Sequence, residues 1–591
     1  MAMRKKSAGT RTSKRKTRKT SPPPPSPPKT CPTTAPTRTI SDLPNELLLK
    51  IFEFSIEQDP NNPHKPSRTA RHTSQVCHRW RNVSLNWPEL WAASVDFGDP
   101  VLWIDEVIKR AVPSKITMVI PSVTESMMKN TVPEDAHHRP QVRLGDLLMR
   151  WDCTVQLETL LFQCIHHLSR CREVALKVPG QAWSRLNSFM QDLSNVESLT
   201  LVRIGSEFPR SPEELLFHAP IVVSDDPPPW KLRALDLRWC GTRFRSPAFY
   251  QLEELTVSDV PTDVAIGPDV WIDVLDRMRS LRRLELANAT LTRAYYVESE
   301  NEGLKHRLGP PINLPHLEWL KLEAPLHHIN HLLSSIVVPA ECELNLAGCG
   351  FSSLNPAFHS LLALVDSRKI GNKLQVALTA DSFIIRSSGS GALPLELSLR
   401  WNEPPMLAVH DRPIDPQDLF SAATAALAKS CGSVTDLDLT FGVPIDGAKH
   451  GAILNKFLRP FTALQRLGGV SSSTFVFLLP FFQPSLQPEK PKDDGTYMSD
   501  LLPALESIRF VGIDFREPAG QGRSKYWALL SFIHYRSRKP VASSDNVEEG
   551  SPRPSPIFDV RLRSCFGMGE KQMESLESLG AQVLPRRFGR D

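Results

Sequence analysis

Residues 40–52 read Ile-Ser-Asp-Leu-Pro-Asn-Glu-Leu-Leu-Leu-Lys-Ile-Phe, and after a polar insert residues 76–83 read Val-Cys-His-Arg-Trp-Arg-Asn-Val. In and just after the first segment, Leu47, Ile51 and Phe54 recur at the spacing of one helix face. The second segment repeats this apolar spacing and predicts a second helix. The apolar faces are too large for a free-standing pair of helices, so we expect part of that surface to bind a partner.

The residues around these helices support the assignment. Asp42 can cap the first helix, and Pro44 is tolerated in its first turn. The insert at 59–66 is rich in Asn, Asp and Pro, which predicts a loop. A tail at 87–91 reads Trp-Pro-Glu-Leu-Trp.

The pattern Leu-Pro-x-Glu-Leu-Leu-x-x-Ile-Phe, followed by Val-Cys-x-x-Trp-Arg, resembles the F-box, and the tail resembles that of fungal F-box-like proteins. The resemblance implies that the module docks on a Skp-type adaptor and, through it, on a cullin scaffold. It also implies that the remaining chain captures a protein substrate, without catalysis or a cofactor of its own. An ordinary helical hairpin of the main core is the alternative. The residues assigned to adaptor binding are Leu43, Pro44, Leu47, Leu48, Ile51, Phe52, Val76 and Trp80.

From residue 171 onward a short phrase recurs: an apolar residue, two others, an apolar residue, one other, and an apolar residue. It resembles the leucine-rich repeat, which implies short strands stacked in one parallel sheet with helices on its other face. The spacing is irregular, so a looser α/β domain is the alternative. The copies begin at Cys171, Val196, Leu232, Leu252, Leu281, Leu317, Leu344, Val434, Leu505 and Val560.

The predicted fold class is therefore α/β, a short all-helical F-box module followed by an irregular leucine-rich-repeat solenoid. An apolar run at 475–482 is too short to span a bilayer, and we predict a buried strand there. The predicted divisions are a disordered basic, proline-rich arm at 1–39, the module at 40–96, a mixed helical transition at 97–170 and the repeat region at 171–591, with disordered insertions near 483–500 and 536–556.

Substrate capture is assigned to charged residues that stand between the apolar positions of a strand phrase. Such residues point away from the apolar side, because side chains alternate along a strand. The candidates are Asp236, Arg238, Glu285, Lys321, Asp436 and Asp438.

The net charge of +5 comes from the amino-terminal arm. Of 70 Lys and Arg residues, eleven lie in residues 1–41, which contain no Asp or Glu, so the rest of the chain has 59 basic against 65 acidic residues. Composition therefore argues against a basic nucleic-acid-binding domain in the body of the protein. The basic cluster at 14–19 fits a nuclear import signal or a nucleic-acid tether, and the alternative is a merely solvated tail. A non-catalytic nuclear scaffold, tethered to nucleic acid by this arm, is a second functional hypothesis.

The sequence contains no pattern that predicts catalysis or a metal site. GxxxxGK[ST], GxSxG and HExxH are absent. His327, His328 and His331, and likewise Cys164, His167 and Cys171, lack a second ligand group at characteristic spacing, so we predict surface histidines and buried thiols. Ten scattered cysteines without a CxxC pair fit reduced thiols, which predicts a nuclear or cytoplasmic protein, and no segment predicts membrane insertion.

Overall fold

The computed structural model describes a helical module, a long sheet and helices that cover it. The arm predicted at 1–39 and the insertion predicted at 483–500 lie outside the described residues, as does most of the transition region predicted at 97–170. Of the insertion predicted at 536–556, residues 536–538 are described, and they continue a helix. Described are residues 40–57, 65–95, 101–119, 167, 170–179, 195–204, 231–240, 244, 249–261, 265–290, 310–349, 356–379, 382–390, 392–400, 422–424, 427, 430–442, 456–482, 502–519, 523–538 and 558–585.

The described part of residues 40–95 is all-helical, as predicted. The prediction of one second helix through 76–83 is wrong, because the backbone is extended at Cys77 (φ −155°, ψ 172°) and the Cys77 sulfur accepts a hydrogen bond from the Trp80 amide (3.4 Å). This cap ends one helix and begins the next. After a 3-10 turn at Ile40–Asp42, the helices are α1 (Asn45–Glu57), α2 (Lys65–Val76), α3 (His78–Leu85) and α4 (Pro88–Ala92).

The later helices have apolar faces that join one continuous buried core with the sheet. None of the described helices is long and apolar enough to cross a membrane. These helices are α5 (Val101–Arg110), α6 (Pro268–Leu275), α7 (Leu326–Ser335), α8 (Pro356–Asp366), α9 (Ser472–Phe477), α10 (Leu479–Phe482), α11 (Lys525–Arg538) and α12 (Glu570–Ser578).

Sixteen of the described strands form one sheet, and two short strands, β7 and β9, pair separately. The order across the sheet is β1-β2-β3-β4-β5-β6-β8-β10-β13-β12-β11-β14-β15-β16-β17-β18. The strands are β1 (Ile116–Val119), β2 (Cys171–Pro179), β3 (Ser198–Ile204), β4 (Ala234–Arg238), β5 (Glu254–Ser258), β6 (Arg283–Ala287), β7 (Ile312–Asn313), β8 (Trp319–Pro325), β9 (Ile336–Val337), β10 (Glu343–Cys349), β11 (Lys373–Leu378), β12 (Ser382–Ser388), β13 (Leu395–Arg400), β14 (Asp436–Phe441), β15 (Arg466–Val470), β16 (Ser507–Val511), β17 (Phe558–Arg563) and β18 (Ala581–Pro585).

The recurring apolar phrase sets the register of this sheet. Each of the ten predicted copies contributes a strand, and equivalent leucines lie side by side in parallel pairs. Leu255, Leu284 and Leu320 are neighbours in one such row and are completely buried. Apolar residues at alternate positions therefore line one face of the sheet, and polar residues line the other.

The regular order is interrupted between β10 and β14. There β12 runs antiparallel to both β11 and β13, whereas the other described pairs are parallel. The recurring apolar phrase has no copy between β10 and β14, and β12 was not predicted. A second surprise is at 475–482, where the prediction of a strand is wrong and α9 and α10 form instead. The Ser471 hydroxyl accepts a hydrogen bond from the Thr474 amide (3.3 Å) and starts α9, and a short apolar run cannot by itself distinguish a buried strand from a buried helix.

Candidate partner-binding surfaces

Hydrogen bonds from Arg79 on α3 hold the start of α1 against that helix. The Nη2 of Arg79 donates hydrogen bonds to the Asn45 Oδ1 (2.9 Å) and to the main-chain oxygen of Leu43. The Nε of Arg79 also donates to the Asn45 Oδ1 (3.3 Å). Sequence reasoning missed Arg79 and Asn45, because a polar contact between residues 34 positions apart leaves no periodic signal.

One face of α1 packs into the interior of the helical module. Leu48 and Phe52 are completely buried, and the Phe52 ring meets the Trp80 ring edge to face with centroids 5.2 Å apart. Leu43 and Trp80 are half-buried against the same core. Four of the eight residues predicted to bind an adaptor therefore also hold the module together.

The face of α1 next to this buried one is apolar and exposed. Leu47 is 46% exposed, Ile51 39% and Phe54 60%, and Pro44 is also exposed at the head of the same stripe. Val76, at the end of α2, is 58% exposed. The other four predicted adaptor residues thus stand on the surface, and Phe54 extends the stripe by another turn.

This part of the chain has an unusual share of exposed apolar surface. Of the thirteen large hydrophobic residues that are exposed in the described parts of the chain, eight lie between residues 40 and 112. Large exposed apolar patches mark interaction sites more often than scattered single residues do. The eight are Ile40, Leu47, Ile51, Phe54, Val76, Leu85, Leu102 and Val112.

The module is joined to the sheet through aromatic and arginine side chains. Trp91 is buried and donates from Nε1 to the main-chain oxygen of Ser84 (2.7 Å). The Arg110 guanidinium lies over Trp91, 4.6 Å from the ring centroid, and over Trp103 at 5.7 Å. At the carboxyl end of α5, the Ile108 main-chain oxygen accepts a hydrogen bond from Arg170 (3.3 Å), next to β2.

The six residues predicted to bind a substrate all lie on strands β4, β6, β8 and β14, and each directly adjoins a buried leucine of its strand. Each has an ion-pair partner. Arg238 pairs with Asp236 (2.8 Å) and Lys321 with Glu285 (2.7 Å). Asp438 pairs with Arg509 (2.9 Å), and Asp436 with Arg466. These charges are therefore neutralised locally, and a ligand would have to compete with the partners.

A groove of about 540 Å³ crosses the polar side of the sheet from β10 to β17. Asp436 and Asp438 line it, whereas Asp236, Arg238, Glu285 and Lys321 do not. The structure thus brings two of the six predicted residues into one concave site. The wall also contains basic residues that the sequence did not single out, namely Lys373, Arg386, Arg466, Arg509 and Arg561.

The histidines on α7 are part of the interior. The prediction of surface histidines is wrong for His328 and His331, each 1% exposed, because α7 turns this side toward α6 and the loop after β6. His328 Nδ1 lies 3.0 Å from the Thr290 hydroxyl, and His331 Nε2 lies 2.7 Å from the Asp269 carboxylate. Burial, reinforced by His327 and His331, lowers the pKa of His328 to about 3. Cys171 is buried as predicted, and the described residues contain no group of side chains that could hold a metal ion.

Comparison with known families agrees with the geometry of the helical module. The family model for F-box-like domains matches residues 40–94, so the chain contains an F-box-like domain there. Domains of this class suggest a Skp-type partner and an adaptor role in ubiquitin ligase complexes, and proteins that carry them are typically non-catalytic. No curated protein matches the chain.

Proposed function

We propose that this protein is the substrate-recognition subunit of a Skp-cullin-F-box type ubiquitin ligase. The F-box-like domain binds the Skp-type adaptor, the adaptor links it to the cullin, and the sheet region captures a protein substrate. The protein would act by holding substrate lysines near a ubiquitin-conjugating enzyme, which raises their effective concentration without any chemistry of its own.

The observation that carries this proposal is the apolar stripe along α1. Pro44, Leu47, Ile51 and Phe54 are exposed in the very segment that the family model matches. Exposed apolar side chains at helical spacing suit a hydrophobic groove on a partner. Leu48, Phe52 and Trp80 pack in the module's core beside this stripe, so we propose direct contact for the exposed residues and a positioning role for these three.

We further propose that the sheet region is a degenerate leucine-rich-repeat solenoid. Parallel strands with aligned leucines support this assignment, while the antiparallel β12 is a departure from it. Outward residues of the strands, together with the groove between β10 and β17, are the proposed substrate surface. We also propose a nuclear or cytoplasmic location, which suits the free thiols of all seven described cysteines.

The test is capture of a purified Skp-type adaptor by the full chain and by Leu47→Asp. A charge at this half-exposed position should weaken adaptor binding at least about 30-fold, as expected for loss of a central apolar anchor. The unfolding temperature should stay unchanged, because Leu47 contributes little to the module's core.

Leu102→Asp is the matched control. Leu102 is 85% exposed but lies on α5, beyond the matched domain. This variant should capture the adaptor as well as the wild type does. Full adaptor binding by folded Leu47→Asp would contradict the proposal, and equal loss in both variants would mean that the effect is general and does not come from the α1 stripe.

A further inference from the structure

Trp239 follows β4 directly and is 46% exposed. Its backbone lies in the left-handed region, at φ 60°. A bulky side chain is an outlier there, because its Cβ crowds the backbone. Trp239 thus combines an unfavourable backbone with an exposed ring.

Most other tryptophans in the described residues already have a partner for the ring. Arginine guanidiniums lie over Trp91, over Trp319 (Arg283, 4.0 Å) and over Trp527 (Arg523, 3.7 Å). Among the tryptophans of the described residues, Trp239 is the one that is exposed. No described aromatic ring or guanidinium lies against its ring. All six cation–π contacts in the described residues use arginine, and in five of them the guanidinium lies over an indole ring.

The residues beside Trp239 repeat its backbone geometry. Asp259 and Asn288, which follow β5 and β6, are also left-handed, with φ 54° and 51°. The Trp239 amide donates to the last residue of β5, and the Asp259 amide to the last residue of β6. The Asn288 side chain donates to the Asp259 Oδ1 (3.1 Å). The three residues therefore form a row along the carboxyl ends of neighbouring strands, and this hydrogen bond helps to hold the Asp259 carboxylate in place.

The charge around this row is negative. Asp259 follows Trp239 in this row. Glu323 lies beyond the other end of the row, on β8, where its main-chain oxygen accepts a hydrogen bond from the Asn288 amide. The nearby cations are already engaged, since Arg238 pairs with Asp236, Lys321 pairs with Glu285 and Arg283 stacks on the ring of Trp319. Among the described residues, no salt bridge involves Asp259 or Glu323, although the Asp259 carboxylate interacts electrostatically with Arg238, whose hydrogen bonds go to Asp236.

We propose that Trp239 and Asp259 receive an arginine side chain of a protein partner. A guanidinium can stack its plane on the indole and donate hydrogen bonds from its edge to a carboxylate, whereas a lysine ammonium offers only a point charge. The inference rests on the proposed function only in calling that partner a substrate, because the arginine site itself does not involve the F-box-like domain.

The experiment uses the full chain labelled with 5-fluorotryptophan and followed by fluorine NMR. The Trp239 resonance is assigned as the signal absent from Trp239→Phe. The probes are acetyl-Gly-Gly-Arg-Gly-Gly-amide and the same peptide with Lys or Glu in place of Arg. The arginine peptide should shift the Trp239 signal in a saturable way, the lysine peptide less and the glutamate peptide not at all. Equal shifts with all three peptides, or no shift with arginine, would overturn the proposal.

Asp259→Asn removes the negative charge without disturbing the fold, because Asn tolerates the left-handed backbone at this position. It should weaken arginine-peptide binding about two- to fivefold, as for an exposed charge pair. Unchanged affinity would remove Asp259 from the site. Trp239→Phe should still capture the Skp-type adaptor, and a chain that binds the arginine peptide but no adaptor would sink the proposed function while leaving this inference intact.

Discussion

Helix α1 and strand β8 both carry apolar residues at regular spacing, but they use them differently. Leu47 on α1 is 46% exposed, whereas Leu320 on β8 is completely buried. Between the leucines of β8, Lys321 is paired with Glu285 (2.7 Å). The helical module thus exposes apolar side chains to a partner, whereas β8 and β6 carry charges that are already paired with each other. Under the proposed function, the module would bind the adaptor by burying apolar area, whereas a substrate that uses Lys321 or Glu285 would have to break an existing ion pair.

The largest predicted effect tests whether the two regions are separable. Phe52→Ala removes a completely buried ring and its contact with Trp80, which should destabilise the module by about 3–5 kcal/mol. Amide hydrogen exchange followed by mass spectrometry should show faster exchange in α1 to α3, with protection retained in β14 to β17. Uniform loss of protection would instead mean that the module and the sheet unfold as one unit.

Phe54→Ala is the control on the same helix. Phe54 is 60% exposed, so its truncation should change stability by less than about 0.5 kcal/mol. In the adaptor assay, however, Phe54→Ala should weaken binding, because Phe54 belongs to the exposed stripe. A folded Phe54→Ala chain that binds the adaptor less well would separate partner contact from module stability.

The sequence was informative wherever a period repeats. The spacing of Leu47, Ile51 and Phe54 predicted α1, and the alternation around Leu320 predicted β8 and its neighbours. It failed where a contact between distant residues decides the outcome. The Arg79–Asn45 hydrogen bond has no local signature, and neither does the antiparallel placement of β12 between two strands that would otherwise be parallel.

The candidate site shows the same limit. Periodicity correctly grouped the apolar residues of α1 but could not tell the exposed side from the buried one, since both Leu47 and Leu48 continue an apolar stripe. Which face is covered depends on packing against the other helices, such as that of Trp80 on Phe52. The sheet charges were likewise found by alternation. The pairing of Lys321 with Glu285, however, depends on the register between β8 and β6, which the sequence did not specify.

The next largest effect is a pH dependence of stability that comes from the sheet region. There His328 is buried, whereas the stripe on α1 is exposed. Burial, with smaller contributions from His327 and His331, lowers the pKa of His328 from 6.5 to about 3, so the folded protein holds this imidazole neutral. The unfolded chain takes up the proton below pH 6.5, and stability is therefore lost as the pH falls from that value toward 3. Between pH 7 and pH 5 the loss should be about 2 kcal/mol.

His328→Asn removes this titration, and urea unfolding at pH 5 and pH 7 measures it. The pKa of His327 is also lowered, by burial and by His331, and remains in the variant, so the informative quantity is the difference between wild type and variant. The variant should show a smaller stability change across this range. An identical change in both proteins would mean that His328 is not kept neutral by burial.

The smallest effect decides what the sheet charges are for. Lys321 and Glu285 are direct neighbours on β8 and β6, with side chains 28% and 19% exposed. A double-mutant cycle with Lys321→Met and Glu285→Gln should give a coupling of about 0.2–1 kcal/mol that falls as salt is added. The more exposed Arg282–Glu318 pair is the comparison and should couple less strongly. A coupling well above this range would make the pair a structural element, like the leucines beside it. A coupling near zero would mean that this ion pair does not stabilise the fold. Recognition of a partner would then explain the charges on this face better than stability does.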